Sequence, residues 1–294
     1  LVWLDLHSPW LGLLSSYMKS MYTSAAAVAA LLLTPVAEAS LITFEAAGAS
    51  PAAISLTRDA FRTAVGGGSV AGANGSFGGL RREINWDGVP DTRADPNPLP
   101  GNFFNLNSPR GAVFSTPGSG FLVSANAGGA TPTLFGFPGD LQTFSAQRLF
   151  TAVNSNITDV RFFVPGTGIA ATTSAFGAIF VDVELDGVTK IEFFDATDTL
   201  LLARDVLVGG NQGLSFVGAV ANAGEKISRV RLTSGANAIL SNGVRADEIT
   251  DMVVMDDFIY AEPTRAVPAP SSLALAAVGL LGGMAAWRRR RTGA

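Results

Sequence analysis

The sequence predicts an all-β fold: a jelly-roll-like antiparallel β-sandwich with one short helix, between an N-terminal signal peptide and a C-terminal transmembrane helix. Three observations carry this expectation. Between Ser40 and Glu262, short runs of β-branched and aromatic residues are separated by Gly, Pro, Asn and Asp, the pattern of strands cut by turns. In the second half these runs recur about every ten residues, as in sandwiches rather than parallel sheets with crossover helices. The two ends carry apolar stretches of the kind found in targeting and membrane segments.

Leu41-Ile42-Thr43-Phe44 opens the domain. A helix is predicted over Pro51 to Val65, with Ser50 as N-cap, Pro51 in the first helical position and Gly66 as terminator. Gly66-Gly67-Gly68 reads as a surface loop, and so does the Pro-rich stretch from Pro90 to Pro100. Between them, Glu83-Ile84-Asn85-Trp86 forms a strand that runs into an Asp87-Gly88 turn. Gly111 to Ser115 and Gly120 to Ala125 are expected to pair as a hairpin around Thr116-Pro117-Gly118-Ser119. Ser145 to Ala152 follows, then Asp159 to Val164, which Pro165-Gly166 ends.

Phe176 to Leu185 is the clearest strand and stops at Asp186-Gly187. Lys190 to Phe194, Leu200 to Val208 and Leu214 to Val220 come next. Ile227 to Thr233 alternates Arg229 and Arg231, expected outward, with Val230 and Leu232, expected inward. Met252 to Tyr260 is the last strand. No internal repeat stands out. Residues 40–262 form one domain on this reading, and 263–270 link it to the C-terminal segment.

The C-terminus has three parts in order. Val267-Pro268-Ala269-Pro270 leads into the uncharged span Ser271 to Trp287, and Arg288-Arg289-Arg290-Arg291 follows. Seventeen residues cover about 26 Å as a helix, the lower limit for crossing a bilayer. Gly279, Gly282 and Gly283 weaken a soluble helix but are tolerated in lipid. The four arginines keep the end in the cytoplasm, so the upstream domain faces outward. The alternative is a buried apolar helix with a solvated basic tail in 288–294.

At the other end, Met18-Lys19-Ser20-Met21 supplies a small basic n-region, Ala25 to Leu33 an apolar h-region, and Ala37-Glu38-Ala39 an A-x-A cleavage site. The signal peptide is thus read over 18–39, with Ser40 as mature N-terminus. Residues 1–17 contain no Met and read as an over-extended gene start; a functional extension is the alternative.

The C-terminal arrangement resembles the PEP-CTERM sorting signal of Gram-negative bacteria that make extracellular polysaccharide. Val267-Pro268-Ala269-Pro270 stands at the Pro-Glu-Pro motif, with Ala269 where the family has Glu. The resemblance implies processing by exosortase, a membrane transpeptidase-like enzyme, after export through the Sec machinery. The domain also resembles a recurrent ectodomain of PEP-CTERM proteins over residues 80–262. The matching pieces are Arg82 to Val89, Phe103-Phe104-Asn105, Ser108-Pro109-Arg110-Gly111, Ile191 to Asp195 and Met255 to Tyr260. That likeness implies location and fold, and no activity.

Composition removes several function classes. Residues 40–268 hold 22 Asp and Glu against 15 Lys and Arg, a net charge of −7. A basic field for nucleic acid or anionic lipid is absent. The single His is His7, and there is no Cys. Ser-His-Asp and Cys-His catalysis, disulfides and ordinary zinc sites are therefore excluded from the mature domain. No G-x-S-x-G elbow, P-loop or G-x-G-x-x-G run occurs. No catalytic residue is assigned.

Two binding candidates remain. Phe44-Glu45 at one end and Asp256-Asp257-Phe258 at the other resemble the first- and last-strand pair that shares Ca²⁺ in carbohydrate-binding jelly rolls. Carboxylate oxygens suit that hard cation. Adjacent strand residues face opposite ways, so Glu45 and Asp257 are the expected ligands of a structural Ca²⁺. The competing reading is solvated acids at strand ends. Trp86, beside Asn85 and Asp87, could stack on a sugar ring or fill the core beside a turn.

Asp182 and Glu184 lie two apart on one strand face and offer either a glycosidase-like carboxylate pair or exposed surface acids. Arg81, Arg82, Arg229 and Arg231 read as solvated faces with cross-strand acid partners. Three functions fit: a non-enzymatic surface or matrix protein associated with exopolysaccharide, a calcium-dependent carbohydrate-binding module, and a carboxylate-based glycosidase. The first is preferred.

Overall fold

The computed structural model describes residues 41–266 apart from 130, 242 and 247–249. The cleavage residues Ala37, Ala39 and Ser40, the motif Val267, Pro268, Ala269 and Pro270, the span 271–287 and Arg288, Arg289, Arg290 and Arg291 lie outside the described residues. Among the described residues, no helix is long and apolar enough to cross a membrane.

Runs of β-branched and aromatic residues supply fifteen strands among the described residues. The first seven are β1 (Leu41–Gly48), β2 (Ser76–Phe77), β3 (Arg81–Ile84), β4 (Ala112–Ser115), β5 (Gly120–Val123), β6 (Phe150–Val153) and β7 (Ile157–Phe162). Next come β8 (Ala171–Thr172), β9 (Ala175–Val181), β10 (Lys190–Phe194) and β11 (Leu200–Asp205). The last are β12 (Leu214–Ala221), β13 (Arg229–Thr233), β14 (Val254–Ala261) and β15 (Thr264–Arg265). Among the described residues two α-helices join them, α1 (Pro51–Val65) and the short α2 (Phe103–Leu106).

The larger sheet runs β1-β12-β9-β14-β3-β2, with β6 attached to β14 and β5 to β6. The smaller runs β11-β10-β13-β7-β4. Their ladders are antiparallel. Alternation along each strand sends one residue set between the sheets. Phe176 and Phe180 of β9 and Phe258 and Tyr260 of β14 share a buried cluster with Phe193, Val230, Phe162 and Phe114 of the smaller sheet. Rings meet across the layers: Phe162 lies 5.6 Å from Tyr260 and 6.1 Å from Phe176 between centroids. The all-β expectation holds, and the two sheets enclose the main core in the manner of a sandwich.

The outer face of the larger sheet has its own apolar cluster, covered by α1. Ile54 and Phe61 are the fully buried residues of that helix, each worth about 1.5–3 kcal/mol when removed from water. Phe61 sits over two register-paired glycines, Gly177 of β9 and Gly218 of β12. A Cβ on Gly218 would stand 2.7 Å from the Phe61 ring, so glycine there makes the hollow that seats the helix. Pro51 stands at the helix start and Gly66, at φ 93°, ends it. The Ser50 side chain makes no capping bond; its carbonyl accepts from the Ala53 N–H at 3.0 Å.

The sequence-based expectations need four corrections. β4 and β5 do not form a hairpin: β4 pairs with β7 and β5 with β6. The Thr116 to Ser119 turn instead carries the chain from one sheet to the other. The strand expected over Ser145 to Ala152 begins only at Phe150, because Ser145 and Arg148 are held by side-chain bonds to acids. The strand expected over Phe176 to Leu185 stops at Val181, where Asp182 takes φ 72°. Thr264–Arg265, read as linker, pairs with Ala171–Thr172.

Candidate functional site

Glu45 and Asp257 are not brought together. β1 is an edge strand, and β12 and β9 stand between it and β14. Three strand spacings put the two backbones about 14 Å apart, so no single ion can take both as ligands. Glu45 instead lies 3.3 Å from Arg204 Nε of β11. Trp86 is 1% exposed and offers no face to a sugar. Its ring stacks on Phe150 at 4.0 Å, and its Nε1–H donates to the Asp256 carbonyl at 2.7 Å.

Asp256 and Asp257 form a site of a different kind. The β9–β14 register shifts between Met255 and Phe258, a bulge that suspends strand alternation. Met255 and Phe258 both join the inner core, and the two aspartates between them turn to the same partner. Ser145 Oγ reaches Asp256 Oδ1 at 3.1 Å and Asp257 Oδ1 at 2.8 Å. The Phe144 N–H donates to Asp256 Oδ2 at 2.6 Å. Adjacency thus does not separate these side chains, contrary to the simple alternation rule.

Burial, then the Asp257 charge, pushes Asp256 well above the usual carboxylate range; burial also raises Asp257. Two buried carboxyls held by one hydroxyl repel each other when both are ionised, which favours the protonated form of the pair. The nearby arginines belong to the framework. Arg62 makes a two-pronged contact with Glu83 at 2.8 and 2.5 Å, and Arg81 adds a third at 2.7 Å. Arg81, 4% exposed, also donates to the Gly66 and Gly68 carbonyls, tying down the end of α1. Arg82 grips Glu262 through both prongs, and Arg229 and Arg231 converge on Asp159. The cross-strand pairing expected for Arg231 is present, whereas Arg81 and Arg229 are buried rather than solvated.

A second acidic group lies just past β9. One carboxylate oxygen each from Asp182, Glu184 and Asp251 falls within 4.8 Å of the others. Asp182 Oδ1 accepts the Gln212 N–H at 2.8 Å, and Asp251 Oδ2 accepts from the Glu184 and Leu185 N–H groups at 3.2 Å each. Burial chiefly, opposed by that Gln212 bond and aided by Glu184, Asp140 and Asp251, pushes Asp182 up to about 7. Burial raises Asp251 as well. The Asp182–Glu184 pairing was visible in the sequence; the contribution of Asp251 was not.

The motif-like pieces of the domain sequence are mostly core. Trp86, Phe104, Phe114 and Phe258 pack ring against ring, and the Tyr260 hydroxyl donates to the Arg110 carbonyl at 3.0 Å. Asn105 holds the 166–167 turn through bonds to both residues. Such residues specify packing rather than a reaction.

Comparison with known proteins places the tail. Residues 266–291 match the family model of the PEP-CTERM protein-sorting motif. No curated protein matches the chain. The motif is a signal for export as a membrane-anchored precursor and for transfer to the surface by exosortase.

Proposed function

We propose that this chain is an exported surface or extracellular-matrix protein of a Gram-negative cell, non-enzymatic and associated with exopolysaccharide. The Sec machinery carries it out through the 18–39 signal peptide. The precursor stays in the inner membrane through 271–287 until exosortase processes it near Val267 to Pro270. The observation that carries this reading is the sorting-motif match over residues 266–291. The acidic domain, with its aromatic motif pieces committed to core packing, supports a structural role and gives no basis for a nucleic-acid partner.

Fractionation of an exosortase-bearing host tests it. A tag placed after Ser40 should appear in the surface or matrix fraction on a shortened product. In the same host without exosortase, the full-length precursor should remain in the inner membrane. An identical distribution in both hosts would overturn the sorting reading. Release of the product from cells lacking exopolysaccharide would support the matrix association, and undiminished retention there would refute it. Ala269→Glu, which restores the family's residue, should leave processing equal or faster.

A further inference from the structure

We propose that Asp182, Glu184 and Asp251 form a calcium-binding site at the end of β9. The argument rests on these side chains alone and is independent of the sorting signal. Oxygens that share a calcium ion at 2.3–2.6 Å lie at most about 5 Å apart. The three carboxylates meet that condition, with their oxygens inside 4.8 Å. Asp182 and Asp251 are each 4% exposed, while Glu184 is open to solvent and provides the route of entry.

A second, independent observation points to a cation. Oδ1 of Asp251 is buried and has no hydrogen-bond partner, although Oδ2 is held by two backbone amides. A buried carboxylate oxygen without a donor is unfavourable, and a cation among the three groups would satisfy it. Among the described residues no Lys or Arg forms an ion pair with any of the three. The charges acting on Asp182 are those of acids.

Ligand type selects the ion. The group offers oxygen only, which suits calcium or magnesium and not zinc or copper. The carboxylates come from two distant segments, one of them solvent-exposed, and calcium tolerates such irregular geometry where magnesium demands a near-octahedron. Local sequence agrees: Asp182-Val183-Glu184-Leu185-Asp186-Gly187 alternates acids and ends in a glycine at φ 74°, as oxygen-ligand loops do.

Calorimetric titration of the full chain in detergent, stripped with EGTA and desalted, tests the site with CaCl₂ and MgCl₂ as probes. The expected result is one saturable calcium site per chain, a higher Tm with calcium, and magnesium binding weaker by at least about tenfold. Glu184→Gln and Asp251→Asn should each weaken calcium binding by about tenfold or more, whereas Asp257→Asn should leave it unchanged. Glu184 is exposed, so Glu184→Gln decides the matter if Asp251→Asn fails to fold. No saturable heat and no Tm shift in the wild type would overturn the proposal. So would calcium binding by Glu184→Gln within about twofold of wild type.

Discussion

Asp256 and Asp257 on β14, and Asp182, Glu184 and Asp251 beyond β9, face one physical problem, charge removed from water, with different means. The β14 pair is compensated from inside the fold. A bulge turns both carboxyls to one serine hydroxyl, a backbone amide adds a short bond, and burial raises both carboxyls toward the neutral form. The second group has backbone donors but no basic partner among the described residues, and one buried oxygen has no donor. A closed hydrogen-bond set marks a structural acid pair. An open one marks a place where something from outside completes the set.

The contrast breaks most strongly at Ser145. Its hydroxyl lies within bonding distance of both β14 carboxyls, so Ser145→Ala strips the one O–H donor they share in a buried setting. The expected loss is about 1–3 kcal/mol, and for a domain of this size each kcal/mol lowers Tm by about 2–4 °C. Thermal melts of the variant should show a fall of several degrees that calcium does not reverse. A Tm equal to wild type would mean that the pair is not held from within.

Next in size is the pH dependence of the same pair. Burial raises both aspartates in the folded state. Their contribution is full below the unfolded value of about 3.9 and is lost as pH rises through the folded values. Asp159 acts in the opposite sense: burial would raise it, but Arg231 and Arg229 together outweigh that and lower its value, so its contribution is present at neutral pH and lost on acidification. In chelator, Tm should therefore decline from about pH 5 to pH 8. Asp182, raised to about 7, adds to that decline, so Asp256→Asn, which removes one titrating carboxyl of the pair, should make it shallower without abolishing it. An unchanged slope would sever the link between this pair and the pH effect.

How much of this could be read from the sequence depends on how local each feature is. Lys190 to Phe194 was legible to the residue, because β-branched and aromatic alternation between turn residues is a local signal. So was α1, from Pro51 and Gly66. The false hairpin at 111–125 shows the limit: Thr116 to Ser119 announces a turn but not which sheet each arm joins. The bulge at Asp256-Asp257 depends on register against β9, and nothing within those residues reports it. Likewise the Asp182, Glu184 and Asp186 alternation was legible, whereas Asp251 enters only through the fold. The sequence leaves Trp86 open between a sugar platform and the core for the same reason, since its neighbours Phe150 and Phe258 come from remote strands.

The smallest expected effect sharpens the comparison furthest. Glu184 is exposed and accepts no bond from the described residues, so in chelator Glu184→Gln should change stability by no more than about 0.5 kcal/mol. The sign should be positive, because the variant removes the Glu184 charge that acts unfavourably on Asp182. In calcium the same variant should keep at most about 1.4 kcal/mol of the ligand-linked rise, which in the wild type is about 2.7 kcal/mol at a hundred times Kd. Paired melts with EGTA and with CaCl₂ measure both quantities on one sample. A large loss in chelator would show that Glu184 already has a stabilising protein partner, and the second acidic group would then be closed from within like the first.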